Sequence, residues 1–317
     1  MNAAKRPHTA SVVIPTCNEG EMLAMTVRSV LSSENDLEFE IVIVDDGSTD
    51  GSCEPFRSTN MPAVHVIDGD GLGVARARNL GAEHTGGEMI VFLDAHCEVG
   101  SHWLDHFAAA MAAPDVAIVS PAFTRLRERY PVGLGMGWST PRLDLQWFYP
   151  VEDTDMPYEI PFAPGGCQAY PAATFRALGK FDSGFCRWGS EDIEISLRAW
   201  LLGFRVLAQP RACVAHWFRD TRAFTVDEAD VAFNLLRMVR MHFTEPRLAG
   251  VLNAIRSNAD ITRVEQRLSG SDVELIRAEL LAVRERDDAW FCDRFFPDLF
   301  PTSRGACLIN PEAAAAH

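Results

Sequence analysis

Short apolar runs separated by amphipathic segments dominate the first 120 residues. Residues 11–15, 40–44, 64–67, 89–93 and 116–120 are built mostly from Val, Ile, Leu and Phe. Runs of this length and composition predict strands buried on both faces. A loop at 16–20 leads to a helix ending near Ser33, and 73–84 reads as a second helix. In a third, Trp103, Phe107, Ala110 and Met111 fall on one face, with Ser101 placed as its cap. Strand alternating with helix predicts an α/β fold with a mostly parallel sheet. Three strands run into polar residues: 16–19, Asp45-Asp46 and 94–96. The carboxyl ends of neighbouring strands open on one crevice, so these form one site.

Beyond residue 120 the pattern changes. Residues 121–165 carry Pro, Gly, Trp and Tyr with weak periodicity, which reads as a long excursion containing one hairpin. Order returns at 163–170, followed by a helix over 171–178. Ile193, Leu197, Trp200 and Leu201 share a helical face, with Glu194 and Arg198 an i,i+4 pair. Short strands at 204–207 and 212–215 end on His216. Thr225 and Glu228 have capping-box spacing, and Ser271 with Glu274 opens another helix running to about Phe291. The organisation is therefore a tail at 1–10, one α/β domain over 11–224, and a helical region with a Pro-punctuated tail over 225–317.

Composition narrows the class. The 317 residues are 47% hydrophobic and 23% charged, ordinary for a globular protein. A net charge of −15 argues against nucleic acid as the main partner, which needs a basic face. Eight Cys occur without C-x-x-C spacing, so reduced thiols and a cytoplasmic location are expected. There is no signal-like apolar segment and no run near the ~18 apolar residues of a membrane helix.

Candidate chemistry lies at the strand ends. Asp94 and His96 offer a hard oxygen and an imidazole two residues apart, a pairing suited to a divalent cation. A helix cap is the plainer reading of Asp94, but Ser101 is the better cap there. Gly71-Leu72-Gly73 resembles the start of a dinucleotide fingerprint, yet the third Gly is missing and the first strand lies elsewhere. Gly73 before a helix still suits a diphosphate. Glu191-Asp192 opens a helix just after Trp188-Gly189. Acids there favour the helix dipole, and an aromatic beside them suits a sugar face.

The series Pro15-Thr16-x-Asn18-Glu19, Asp45-Asp46-x-Ser48, Ala77-Arg78-Asn79-x-Gly81 and Phe92-Leu93-Asp94-x-His96 resembles the nucleotide-sugar glycosyltransferases of the GT-A fold. Asp94-Ala95-His96 is similar to the metal motif of polypeptide N-acetylgalactosaminyltransferases, as are Gly165-Gly166, Trp188-Gly189-x-Glu191 and His216-x-x-Arg219 further on. The resemblance implies a Mn2+-dependent transferase (Mg2+ or another divalent ion also fits) with Asp94, His96 and His216 as metal ligands. It implies a UDP-sugar donor lined by Pro15, Thr16, Cys17, Glu19, Asp45 or Asp46, Gly73, Arg78, Ala95, Gly165, Gly166, Trp188 and Arg219. In that family Asn follows the matching Glu and configuration is retained. Here Asp192 follows Glu191, which looks like the Glu-Asp of β-1,4-galactosyltransferases, where the acid is an inverting base. The expectation is inversion, with Asp192 as base and Glu191 holding sugar hydroxyls. The acceptor is a peptide Ser, Thr or Cys or a saccharide hydroxyl, placed against the aromatic segment 138–158. A sugar nucleotidyltransferase is the rival, but the 15–20 loop lacks the Lys it needs; a non-catalytic nucleotide-sugar binder is the other. Oligomeric state is not legible.

Overall fold

The computed structural model describes residues 10–58, 61–128, 131–148, 155–219, 225–255 and 261–300. Chain order begins β1 (Ala10–Thr16), α1 (Glu21–Ser32), β2 (Phe39–Asp45), α2 (Glu54–Arg57), β3 (Val64–Asp68), α3 (Val74–Glu83), β4 (Met89–Leu93), β5 (Cys97–Val99) and α4 (Trp103–Ala110). It continues β6 (Val116–Arg125), β7 (Pro131–Gly133), β8 (Gly135–Trp138), β9 (Leu145–Phe148), β10 (Tyr158–Glu159), β11 (Cys167–Pro171), α5 (Ala172–Ala177), α6 (Glu191–Leu201) and β12 (Arg205–His216). Five helices close the described chain: α7 (Glu228–His242), α8 (Glu245–Ile255), α9 (Ile261–Ser269), α10 (Val273–Val283) and α11 (Asp288–Phe295).

The main sheet runs β10-β12-β6-β11-β4-β1-β2-β3. Strands β4, β1, β2 and β3 are mutually parallel, as the alternating pattern predicts. Side chains alternate between two cores. Val13, Val42, Val44, Ile90 and Phe92 enter one, shared with α6, α7 and α11. Val12, Ile14, Ile41, Ile43, Val91 and Leu93 enter the other, shared with α1 and α4. The C-terminal helices are thus packed into the same core as the sheet, with Trp138 meeting Phe243, Phe291 and Phe296.

Two irregularities make the site. β11 runs antiparallel between β4 and β6, pairing Cys167 with Leu93. The segment entering β11 therefore lies beside the end of β4. β12 is antiparallel to β5, pairing His216 with Cys97. That brings His216 next to His96 from 120 residues away.

Several sequence expectations need correction. Ser101 is not the cap of α4. His102 occupies that position in left-handed geometry, and the free Leu104 N–H is taken by Asn35 Oδ1 at 3.1 Å. Asp227, not Thr225, caps α7, accepting the Ala229 N–H at 2.9 Å. The helix expected from 271 to 291 breaks at 284–287, because Glu285 and Arg286 donate to Leu201 O and close the end of α6. The two strands at 204–207 and 212–215 are one strand carrying a register shift. β5 and β11 had no clear apolar pattern and were not expected. The hairpin in the 121–165 excursion is β8–β9. The tails at 1–9 and 301–317 lie outside the described residues.

Candidate active site

A cleft of about 660 Å³ opens at the strand ends. Pro15, Thr16, Cys17, Glu19, Asp46, Gly73, Arg78, Asp94, Ala95, His96, Gly165, Gly166, Trp188, Glu191, Asp192 and His216 all line it. On the β1–β2 side, Asp46 accepts N–H groups of Leu72 at 2.6 Å and Gly73 at 2.8 Å, tying two turns across the mouth. Asp45 faces away and does not line the cleft. Its carboxylate accepts from Ser48 N–H and Arg57, both at 2.8 Å. Burial and the neighbouring Asp46 push the Cys17 thiol up, so it stays protonated.

Opposite lies the candidate metal centre. Asp94 Oδ2 stands 3.3 Å from His216 Nε2 and 4.0 Å from His96 Nε2. Metal–ligand bonds of about 2.1 Å put neighbouring ligand atoms roughly 3 Å apart, so these three need only a small contraction. A Cβ on Gly166 would meet His216 Cδ2 at 2.9 Å, so glycine makes room for the ring. Burial raises the Asp94 pKa, but the His216 hydrogen bond and the Arg78 charge outweigh it and hold it well below the usual carboxylate range. Burial, with His96 beside it, lowers the His216 pKa against the pull of Asp94, favouring the neutral ring that ligates. Its Nδ1 is buried without a hydrogen-bond partner among the described residues. One carboxylate and two neutral imidazoles fit a first-row divalent ion such as Mn2+.

Arg78 joins this centre to the acids of α6. Its buried guanidinium donates to Asp94 Oδ1 at 3.1 Å, Gly165 O at 2.7 Å and Glu191 Oε1 at 3.0 Å. Glu191 also accepts the Gly189 N–H at 3.1 Å. Asp192 accepts Gly165 N–H at 2.8 Å and Ile193 N–H at 2.9 Å. Burial, then the adjacent Glu191, push the Asp192 pKa up to about 7. A carboxyl group poised there suits proton transfer near neutrality.

The loop before α6 is clamped from two sides. Val74 N–H donates to Arg187 O at 2.9 Å. Gly73, at φ 81°, lets that contact form, since a Cβ would lie 2.7 Å from Arg187 Cα. From α7, fully buried Asn234 donates to Cys186 O, Trp188 O and Gly189 O, and accepts Cys186 N–H at 2.8 Å. The clamp holds Trp188 and Ser190, the latter left-handed at φ 68°.

An aromatic wall stands over His216. Phe218 lies 4.4 Å from its ring, Trp147 packs edge-on to Phe218, and Phe123 tilts against Trp147. Trp147 belongs to the aromatic segment 138–158; residues 149–154 of that segment lie outside the described residues. Arg219 sits just behind the cleft, paired with Glu19 and 2.8 Å from His96 Nδ1. Sequence reasoning missed the Asn234 clamp, the Arg78 strut and the meeting of Glu19 with His96. Only a polar residue amid the apolar face of α7 hints at the first. The others join segments far apart in the chain.

Parallel strands ending on a carboxylate–imidazole cluster, with an antiparallel strand wedged between them, define the GT-A class of fold. The chain belongs to glycosyl transferase family 2, whose family model matches residues 11–179. Residues 147–216 also match the family described as the N-terminal domain of galactosyltransferase. Polypeptide N-acetylgalactosaminyltransferase 11 of Xenopus tropicalis is 31% identical over 92% of this chain and 50% of its own length. Polypeptide N-acetylgalactosaminyltransferase 6 of Bos taurus is 28% identical over 93% of this chain and 52% of its own. The chain thus spans about half the length of these relatives. A crystal structure of GalNAc-T7 with UDP, GalNAc and Mn2+ shares the fold at TM-score 0.74 and 24% identity, covering 91% of this chain and 56% of that one.

Proposed function

We propose that this protein transfers a hexose or N-acetylhexosamine from a UDP-sugar to an acceptor hydroxyl or thiol, with a divalent cation, Mn2+ by preference. The convergence of Asp94 Oδ2, His96 Nε2 and His216 Nε2 carries the reading. A cation bound there supplies Lewis-acid stabilisation of the departing diphosphate. The relatives, named as N-acetylgalactosaminyltransferases, support the donor class, as does the neighbour solved with UDP and Mn2+. A peptide acceptor follows the same relatives, and a saccharide hydroxyl fits the aromatic wall equally.

Asp192 is the base. It lines the cleft, its carboxylate is fixed by two N–H groups, and its pKa near 7 lets it take the acceptor proton. Glu191, held by Arg78 at 3.0 Å, lines the same cleft beside it, where it can take sugar hydroxyls. In-line displacement then inverts the anomeric centre. Retention is the second reading, favoured by the names of the relatives. UDP-sugars screened with Mn2+ for UDP release, followed by NMR of the product's anomeric proton, test both. Absence of UDP release with every donor refutes the function, and retained configuration refutes Asp192 as inverting base.

A further inference from the structure

His96 Nδ1 has two competing neighbours. Arg219 Nη2 approaches it at 2.8 Å and Glu19 Oε2 at 3.3 Å. Arg219 can only donate, so that contact requires a bare lone pair on Nδ1. The neutral ring then carries its hydrogen on Nε2, the nitrogen facing Asp94. A ring in that state cannot ligate through Nε2. The other tautomer places the hydrogen on Nδ1, where Glu19 is the acceptor within reach and Nε2 is free for a cation. In that state the Arg219 N–H has no lone pair to meet. Glu19 serves both states, because it also pairs with Arg219 and is itself nearly buried. In the metal-ready tautomer Arg219 therefore loses its His96 acceptor and keeps only Glu19 and the face of Trp217, 4.9 Å away, among the contacts described.

We propose that Glu19 is a positioning residue that selects the metal-binding tautomer of His96, and that cation binding thereby releases Arg219 from His96 toward the diphosphate. This rests on the cation site of the proposed function. Its consequence is that cation and nucleotide bind cooperatively through a side-chain exchange, apart from any direct metal–phosphate contact. Outer partners of ligating histidines commonly alter metal affinity by about 10- to 100-fold. Arg219, in contrast, competes with the cation-ready state of His96. Its removal spares the cation and harms only the nucleotide.

Mn2+ binding to the full chain, followed by the EPR signal of free Mn2+ at pH 7.5, separates the roles without measuring turnover. Titrations are run with and without UDP, and far-UV CD confirms folding. Glu19→Gln should weaken Mn2+ about tenfold without UDP, with Glu19→Asp recovering part of the loss. Arg219→Ala should bind Mn2+ at least as tightly as the parent while losing UDP affinity and the mutual enhancement of the two ligands. A merely structural Glu19–Arg219 pair predicts equal loss of Mn2+ in both variants, and that result overturns the inference. So does Glu19→Gln binding Mn2+ as the parent does, or Arg219→Ala keeping the full enhancement. If Glu19→Gln does not fold, the Arg219→Ala titrations alone decide. Parent protein that binds no Mn2+ even with UDP sinks the proposed function as well, so the two failures are distinct.

Discussion

Replacing Asn234 tests whether α7 holds the loop that precedes α6. Its amide has two hydrogens shared among Cys186 O at 2.7 Å, Trp188 O at 3.1 Å and Gly189 O at 3.0 Å, and its oxygen takes Cys186 N–H. At most three full hydrogen bonds are therefore lost in Asn234→Ala. At roughly 1 kcal/mol each the cost is about 3 kcal/mol. If the loop stays docked, urea unfolding should report that loss as a lower midpoint at unchanged slope. If it undocks to reach water, global stability falls less and turnover falls instead. A 3 kcal/mol shift changes the docking equilibrium constant of the loop by roughly 160-fold at most. Asn234→Asp is the sharper probe. It keeps the acceptor for Cys186 N–H but turns a carboxylate toward three carbonyl oxygens, so it should be worse than Ala. UDP release and urea denaturation together measure both channels. Asn234→Asp matching the parent in stability and turnover refutes the clamp.

Asp192→Asn should lower turnover at least about 100-fold while UDP binding survives, read by UDP release and calorimetry. The parent's rate should rise with pH through about 7, because the base works deprotonated, and a flat profile counts against it. Stability runs the other way: an acid raised in the folded state contributes most below its unfolded pKa and loses that contribution as pH climbs through about 7. That opposed trend should vanish in Asp192→Asn melts. Gly166→Ala should weaken Mn2+ binding by pushing on His216, 2.9 Å from the added carbon, with the fold intact by CD. Mn2+ affinity should fall on acidification, because a protonated imidazole cannot ligate, and equal binding at pH 5 argues against imidazole ligands.

Local chemistry was legible in the sequence where one segment decides the outcome. The parallel strands follow from apolar runs, and Asp94 and His96 from a strand that stops on them. Pairwise choices were less legible. Asp45 and Asp46 look alike in sequence, yet Asp45 is tied to Ser48 and Arg57 while Asp46 faces the cleft. Ser101 has the better chemistry for a cap, but Asn35 reaches α4 from another loop. β11 escaped because Gln168 interrupts its apolar run, and that side chain is buried by bonding to Ala163 O and Tyr170. Glu19 and Arg219 meet across 200 positions, a distance at which no periodicity speaks.

The wedged strand has a consequence for synthesis on the ribosome. β4 and β6 both leave the exit tunnel before β11, which must then slide between them. Until residue 171 emerges, two strands of the growing chain keep bare hydrogen-bonding edges that a neighbouring nascent chain could pair with. Slowed elongation just before β11 should therefore raise aggregation, whereas a pause after β12, which covers the other edge of β6, should not.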